Sequence, residues 1–125
     1  MKEDRKYDLE DRLISFAVNM IAITEKLSNS RAGNHMAGQL VRCGTSPALN
    51  YGEVQGAESH KDFIHKMKVI LKELRETRIC LKIIKLKPLI KQPESLDSDL
   101  GECNELISIF VKSIETARRK RRGGQ

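Results

Sequence analysis

An all-α four-helix bundle is the fold this sequence predicts, and three observations predict it. Apolar residues recur in a 3-and-4 alternation in four separate stretches, the spacing that lines one face of an α-helix. The composition is 39% hydrophobic but only 4% aromatic, with no Trp and many Leu, Ile, Lys and Glu residues, whereas strands favour aromatic and β-branched side chains. A length of 125 residues supplies one compact core rather than two.

The first seam is Leu9, Leu13, Phe16, Met20, Ile23, Leu27. Ser28-Asn29-Ser30 with Gly33 separates it from a second, Met36, Leu40, Cys43, Pro47, Asn50, Val54, Ala57, in which the phase persists while the chemistry changes midway. Pro47 lacks an N–H and its ring crowds the carbonyl of Cys43, so helix two is expected to kink or break briefly near Pro47, with Thr45 and Ser46 returning hydrogen bonds to the freed backbone. Ser59 with Asp62 three residues later reads as a capping box opening the third segment, Phe63, Met67, Ile70, Leu74, Thr77, Leu81, Ile84. Lys87-Pro88 ends that segment. Two prolines and small polar residues between Pro88 and Ser98 predict an exposed connection. A fourth seam, Leu100, Cys103, Ile107, Phe110, Ile114, Ala117, then starts its helix near Asp97 or Ser98. Helices of roughly 22 to 27 residues at about 1.5 Å per residue give a rod on the order of 35 to 40 Å long.

Second apolar rows accompany the seams: Ile14 and Ile21; Val41, Ala48 and Tyr51; Ile64, Leu71, Ile79, Ile83 and Leu86. One stripe per helix suffices for a lone bundle, so the surplus predicts self-association, the alternative being a wider internal core.

Net charge is +6, and five of the cations form one run, Arg118-Arg119-Lys120-Arg121-Arg122, which leaves the rest of the chain at +1. Residues 1–117 are therefore expected to form the bundle and residues 118–125 a basic, disordered tail. The longest charge-free stretch, Leu13 to Thr24, is well short of the roughly 20 residues that span a membrane. The segment before it mixes acids and bases instead of forming a positive leader. Three cysteines, odd in number and far apart, argue against a disulfide framework or thiolate metal site. These features predict a cytoplasmic protein.

No catalytic, cofactor or metal constellation emerges, and the sequence predicts no enzyme and no small-molecule substrate. Asn50 sits in core phase with Glu53 three residues on, and a buried amide and carboxylate would need partners, for which Arg75 and Arg78 of the third segment are the candidates. A ligand-binding Glu53 is outweighed by a packing device that fixes helix register. No Glu stands three before His35, His60 or His65, Asp62 alone being acidic at that spacing before His65, so the Glu-x-x-His pairs of di-iron bundles are absent, and His60 and His65 are five apart, off the spacing for two ligands on one helix face. Cys43 and Cys103 fall in core phase and read as small hydrophobes.

The block Gln39-Leu40-Val41-Arg42-Cys43-Gly44-Thr45-Ser46-Pro47-Ala48-Leu49-Asn50-Tyr51-Gly52-Glu53, followed by Lys61-Asp62-Phe63 and by Leu71-Lys72-Glu73-Leu74-Arg75-Glu76-Thr77, resembles the bacterial "four helix bundle protein" family, also called 23S ribosomal RNA intervening-sequence proteins. Gln39, Arg42, Ser46, Asn50, Glu53, Asp62, Phe63, Glu73 and Glu76 carry the resemblance as structural motif residues, over most of residues 8 to 117. Pro47 stands where many relatives have an aliphatic residue. The resemblance implies an antiparallel up-and-down bundle assembling as a homopentamer, and association with RNA or DNA. A more distant likeness to the accessory protein of diversity-generating retroelements points the same way. The expected function is thus a non-enzymatic oligomer whose Arg118, Arg119, Lys120, Arg121 and Arg122 contact phosphates without reading sequence. The alternative is a protein-interaction or scaffold module with no nucleic-acid role.

Overall fold

The computed structural model describes residues 8–123, with side chains described as far as Lys120. Four helices carry the fold: α1 (Leu9–Thr24), α2 (Arg31–Val54), α3 (His60–Leu86) and α4 (Asp97–Gly123), the last preceded by a single 3₁₀ turn at Pro93–Leu96. The fold is an all-α four-helix bundle, with no strand among the described residues. α2 packs on α1 and α3, and α3 on α4, while α1 meets α4 only slightly.

The 3-and-4 seams are the core. Leu13, Met20, Leu40, Cys43, Ile70, Leu74, Leu81, Ile84, Cys103, Leu106 and Phe110 are completely shielded from solvent, and Phe16 nearly so. Burying each large aliphatic or aromatic side chain is worth about 1.5–3 kcal/mol. Thr77 shares this environment because its Oγ1 donates to the Glu73 carbonyl at 2.8 Å, which leaves only its methyl group to pack.

Caps fix the helix starts. Ser30 Oγ accepts from Gly33 N at 3.0 Å, and Gly33 itself lies inside α2 rather than in the linker. It is buried against Ser28, whose carbonyl oxygen a Cβ at this position would overlap, so only glycine fits. At α3, Ser59 Oγ accepts from Asp62 N at 3.0 Å, and the Asp62 carboxylate accepts from Glu58 N at 3.1 Å. α1 stops at Thr24, before its seam ends. Leu27 is reached through a tightened turn in which Lys26 N donates to Ile23 O, and Ser28 N then ties the linker to Leu89 O at 2.9 Å.

α2 runs without a break through Pro47. Just ahead of it, Thr45 Oγ1 donates to Val41 O at 2.6 Å and Ser46 Oγ to Arg42 O at 2.8 Å, so both hydroxyls bond the helix's own carbonyls. Gly44 lets α1 approach: a Cβ there would lie 2.6 Å from Met20 Cγ.

Three expectations are corrected. The connection after the cis Lys87–Pro88 bond is not simply exposed: Leu89, Ile90 and Leu96 fold back into the core, because three large apolar side chains in a short linker gain more by closing the bundle end than by facing water. Glu53 is exposed, and Asn50 only partly buried, so neither is a buried group needing a cation from α3. Arg75 is exposed, and Arg78 instead donates to Asn104 Oδ1 of α4 at 3.5 Å.

Candidate functional site

The basic run stands at the end of α4, which is helical through Gly123. Arg and Lys are good helix formers, and cations in a last turn complement the partial negative charge of the helix terminus. Arg118, Arg119 and Lys120 are exposed on this stretch, and none of them forms an ion pair among the described residues. The side chains of Arg121 and Arg122 lie outside the described residues, as do residues 124 and 125.

Beside Lys120 opens a cleft of about 550 Å³ between the start of α3 and the last turns of α4, lined by His60, Phe63, Lys112, Ser113, Thr116, Ala117 and Lys120. His60 Nε2 donates to the Ala117 carbonyl at 2.8 Å, which fixes the ring's tautomer and seats α3 against α4. The His60 ring stacks on Phe63 with centroids 6.5 Å apart and planes 26° from parallel. The cleft thus joins two cations, two hydroxyls and an aromatic floor. Nothing in the sequence announces it, since His60 and Ala117 are 57 positions apart. Phe63 is visible there as a seam and motif residue, and His60 only as a histidine off metal-ligand spacing.

The other motif residues fall in four places. Arg42 of α2 bridges to α3, with Nη1 3.5 Å from Glu73 Oε1 and Nη2 3.5 Å from Glu76 Oε1, and it also donates to Gln39 Oε1 at 3.3 Å. With Arg42 half exposed, these pairs contribute about 0–1 kcal/mol each and serve mainly to set register. Burial raises the Glu73 pKa, reinforced by the Glu76 charge and opposed by Arg42. Asn50 and Glu53 line a shallow depression of about 240 Å³ with His65, Lys66 and Val69. Asp62 locks the α3 start: the Glu58 N–H, then Lys66, hold its carboxylate below the usual range. Ser46 is spent on its own helix.

Elsewhere, Arg12 of α1 clasps α4, with Nε 2.7 Å and Nη2 2.9 Å from the two Glu102 oxygens and Nη2 2.6 Å from Glu105 Oε1. Among the described residues no group of three or more His, Cys, Asp or Glu side chains is arranged to hold a metal ion, and no helix is long and apolar enough to cross a membrane.

The family model described as "23S rRNA-intervening sequence protein" matches residues 5–112. The chain belongs to this family. A crystal structure at 1.70 Å resolution of a protein with unknown function from the S23 ribosomal protein family, from Bacteroides thetaiotaomicron VPI-5482, is similar: it is 29% identical, covers 85% of this chain and 94% of its own, and superposes with a TM-score of 0.76. No curated protein matches the sequence. The family match ends at Lys112, so it covers the bundle, the Arg42 bridge and the Asp62 cap but stops short of Arg118–Arg122.

Proposed function

We propose that this family member is a self-associating, non-enzymatic helical bundle that holds the phosphate backbone of RNA or DNA at the end of α4. The observation carrying this reading is the contiguous exposure of Arg118, Arg119 and Lys120 without carboxylate partners among the described residues, beside a cleft that adds Lys112. A helical run of cations presents charge on several sides of one cylinder, which suits sequence-independent phosphate contact. Assembly multiplies it, and the pentamer that the family resemblance implies would place five such ends on one particle.

The test is RNA affinity at two salt concentrations for the full chain and for a chain lacking residues 118–125. Each phosphate neutralised contributes about −0.9 to the log–log salt slope on duplex and about −0.7 on single strands. The full chain is expected to show a steep slope and the truncated chain a shallow one; equal affinities and slopes would remove the terminus from the contact.

A second reading, a protein-interaction or scaffold module, is favoured by the exposed apolar rows. Val18 on α1 is 58% exposed between Ile14 and Ile21, and Leu86 on α3 is 79% exposed beyond Ile79 and Ile83. Each row repeats at helical spacing, so it forms a strip along the rod rather than scattered single contacts. Light scattering tests the assembly itself: a particle of a single 14.2 kDa chain at micromolar concentration would contradict self-association.

A further inference from the structure

Two of the three cysteines meet across the α2–α3 interface. Cys43 Sγ lies 3.9 Å from Cys80 Sγ, and both are free thiols. Cys43 is wholly buried while Cys80 is partly exposed, so a reagent in solution reaches the pair through Cys80. Cys103 is different in kind: it is buried, its S–H donates to Leu74 O at 3.3 Å, and burial pushes its thiol up to about 12, which keeps it protonated and inert.

We propose that Cys43 and Cys80 form a reactive dithiol site that exchanges with small-molecule disulfides and closes into a bond joining α2 to α3. The geometry supplies both roles that such exchange needs, an accessible sulfur to take the reagent and a second sulfur within reach to resolve the mixed disulfide. Bond formation brings the sulfurs from 3.9 Å to about 2.05 Å. The site is also activated. The pair loses its first proton more readily than an isolated buried thiol, because the remaining S–H donates to the thiolate, with Thr77 and the Arg42 charge adding to that effect against burial. Cys80 keeps its proton, held by the hydrogen bond to Cys43 and by burial, and hands it to the Cys43 thiolate it contacts when it engages a reagent.

The chemistry balances without any further oxidant. Cys80, giving its proton to the Cys43 thiolate, attacks one sulfur of the small disulfide, forming a mixed disulfide and releasing one thiolate. Cys43, passing that proton to the released thiolate, then attacks the Cys80 sulfur and releases the second. Two protein S–H bonds are lost, one protein S–S bond forms, and the reagent is reduced to two thiols that take up the two protons.

The experiment incubates the folded full-length chain with glutathione disulfide, quenches with N-ethylmaleimide after acid unfolding, and reads intact mass and peptide maps. The expected product is a single chain that has lost two hydrogens, carries a linked peptide pair containing Cys43 and Cys80, and takes up one maleimide, at Cys103. Cys43→Ser is expected to stop at a lasting glutathione adduct on Cys80, and Cys80→Ser to form no protein disulfide. The proposal is overturned if the unsubstituted chain takes up three maleimides, retains glutathione on Cys80, or links Cys103 or a second chain instead. Because the deciding readout is taken on the unsubstituted chain, a variant that fails to fold does not blunt the test.

Discussion

At the end where α1 turns into α2 and α3 into α4, the chain closes over its own core. Leu89, Ile90 and Leu96 are buried there, Ser28 N bonds Leu89 O, and Lys85 pairs with Asp97 across the α3–α4 connection. At the opposite end, where α3 starts beside the finish of α4, His60, Phe63, Lys112 and Lys120 surround an open cleft. One end is sealed with hydrocarbon and tightly crossed backbone, while the other is polar, cationic and accessible. The contrast separates two sources of stability: substitutions at the sealed end remove core packing, and those at the open end remove single caps and hydrogen bonds and cost less.

The largest expected effect comes from breaking the seal. Leu96 is 1% exposed, and Leu96→Ala should cost about 2–5 kcal/mol in urea unfolding through lost burial and the cavity left behind, with nucleic-acid affinity of the folded fraction unchanged. Gly33→Ala, also at this end, forces the Ser28 carbonyl away. Overpacking of about 1–3 kcal/mol exceeds the gain of up to about 1 kcal/mol in helix propensity, so a lower melting temperature is expected. At the open end, Ser59→Ala removes the α3 cap and should cost about 1 kcal/mol in urea unfolding.

Asp62→Asn sharpens the comparison by pH. The folded carboxylate titrates below its ordinary value of 3.8, chiefly through the Glu58 N–H and then through Lys66. Its contribution is therefore present above pH 3.8 and disappears as pH falls through the folded value. Melting temperatures of the two chains should differ at neutral pH and converge in acid. A difference that persists unchanged to low pH would show that the carboxylate charge is not what holds the α3 start.

Most of the fold can be read from the sequence because one physical rule, apolar spacing at helical period, governs it. The rule places even polar Thr77 in the core and carries α2 through Pro47. It is silent on Leu89, Ile90 and Leu96, since a linker that caps a bundle end has no period to detect. Pairing across helices is also hidden: Glu53 can be assigned Arg75 or Arg78 on charge alone, whereas the geometry leaves Glu53 exposed and gives Arg42 to Glu73 and Glu76. Cys43 and Cys80, 37 positions apart, carry no spacing signal at all. Of the candidate interface, the cations at the chain end are legible as a run, but the cleft beside them requires α3 and α4 to be docked.

The principal helix interfaces all join neighbours in the chain, α1 with α2, α2 with α3 and α3 with α4, whereas α1 and α4 meet only slightly and are bridged by the Arg12 clasp on Glu102 and Glu105. Assembly can consequently begin on the ribosome: the first two helices can zip together while the last is still unmade, since low contact order lets each new helix dock on the one just finished. Arg12 is the side chain that must wait for synthesis to reach Glu102.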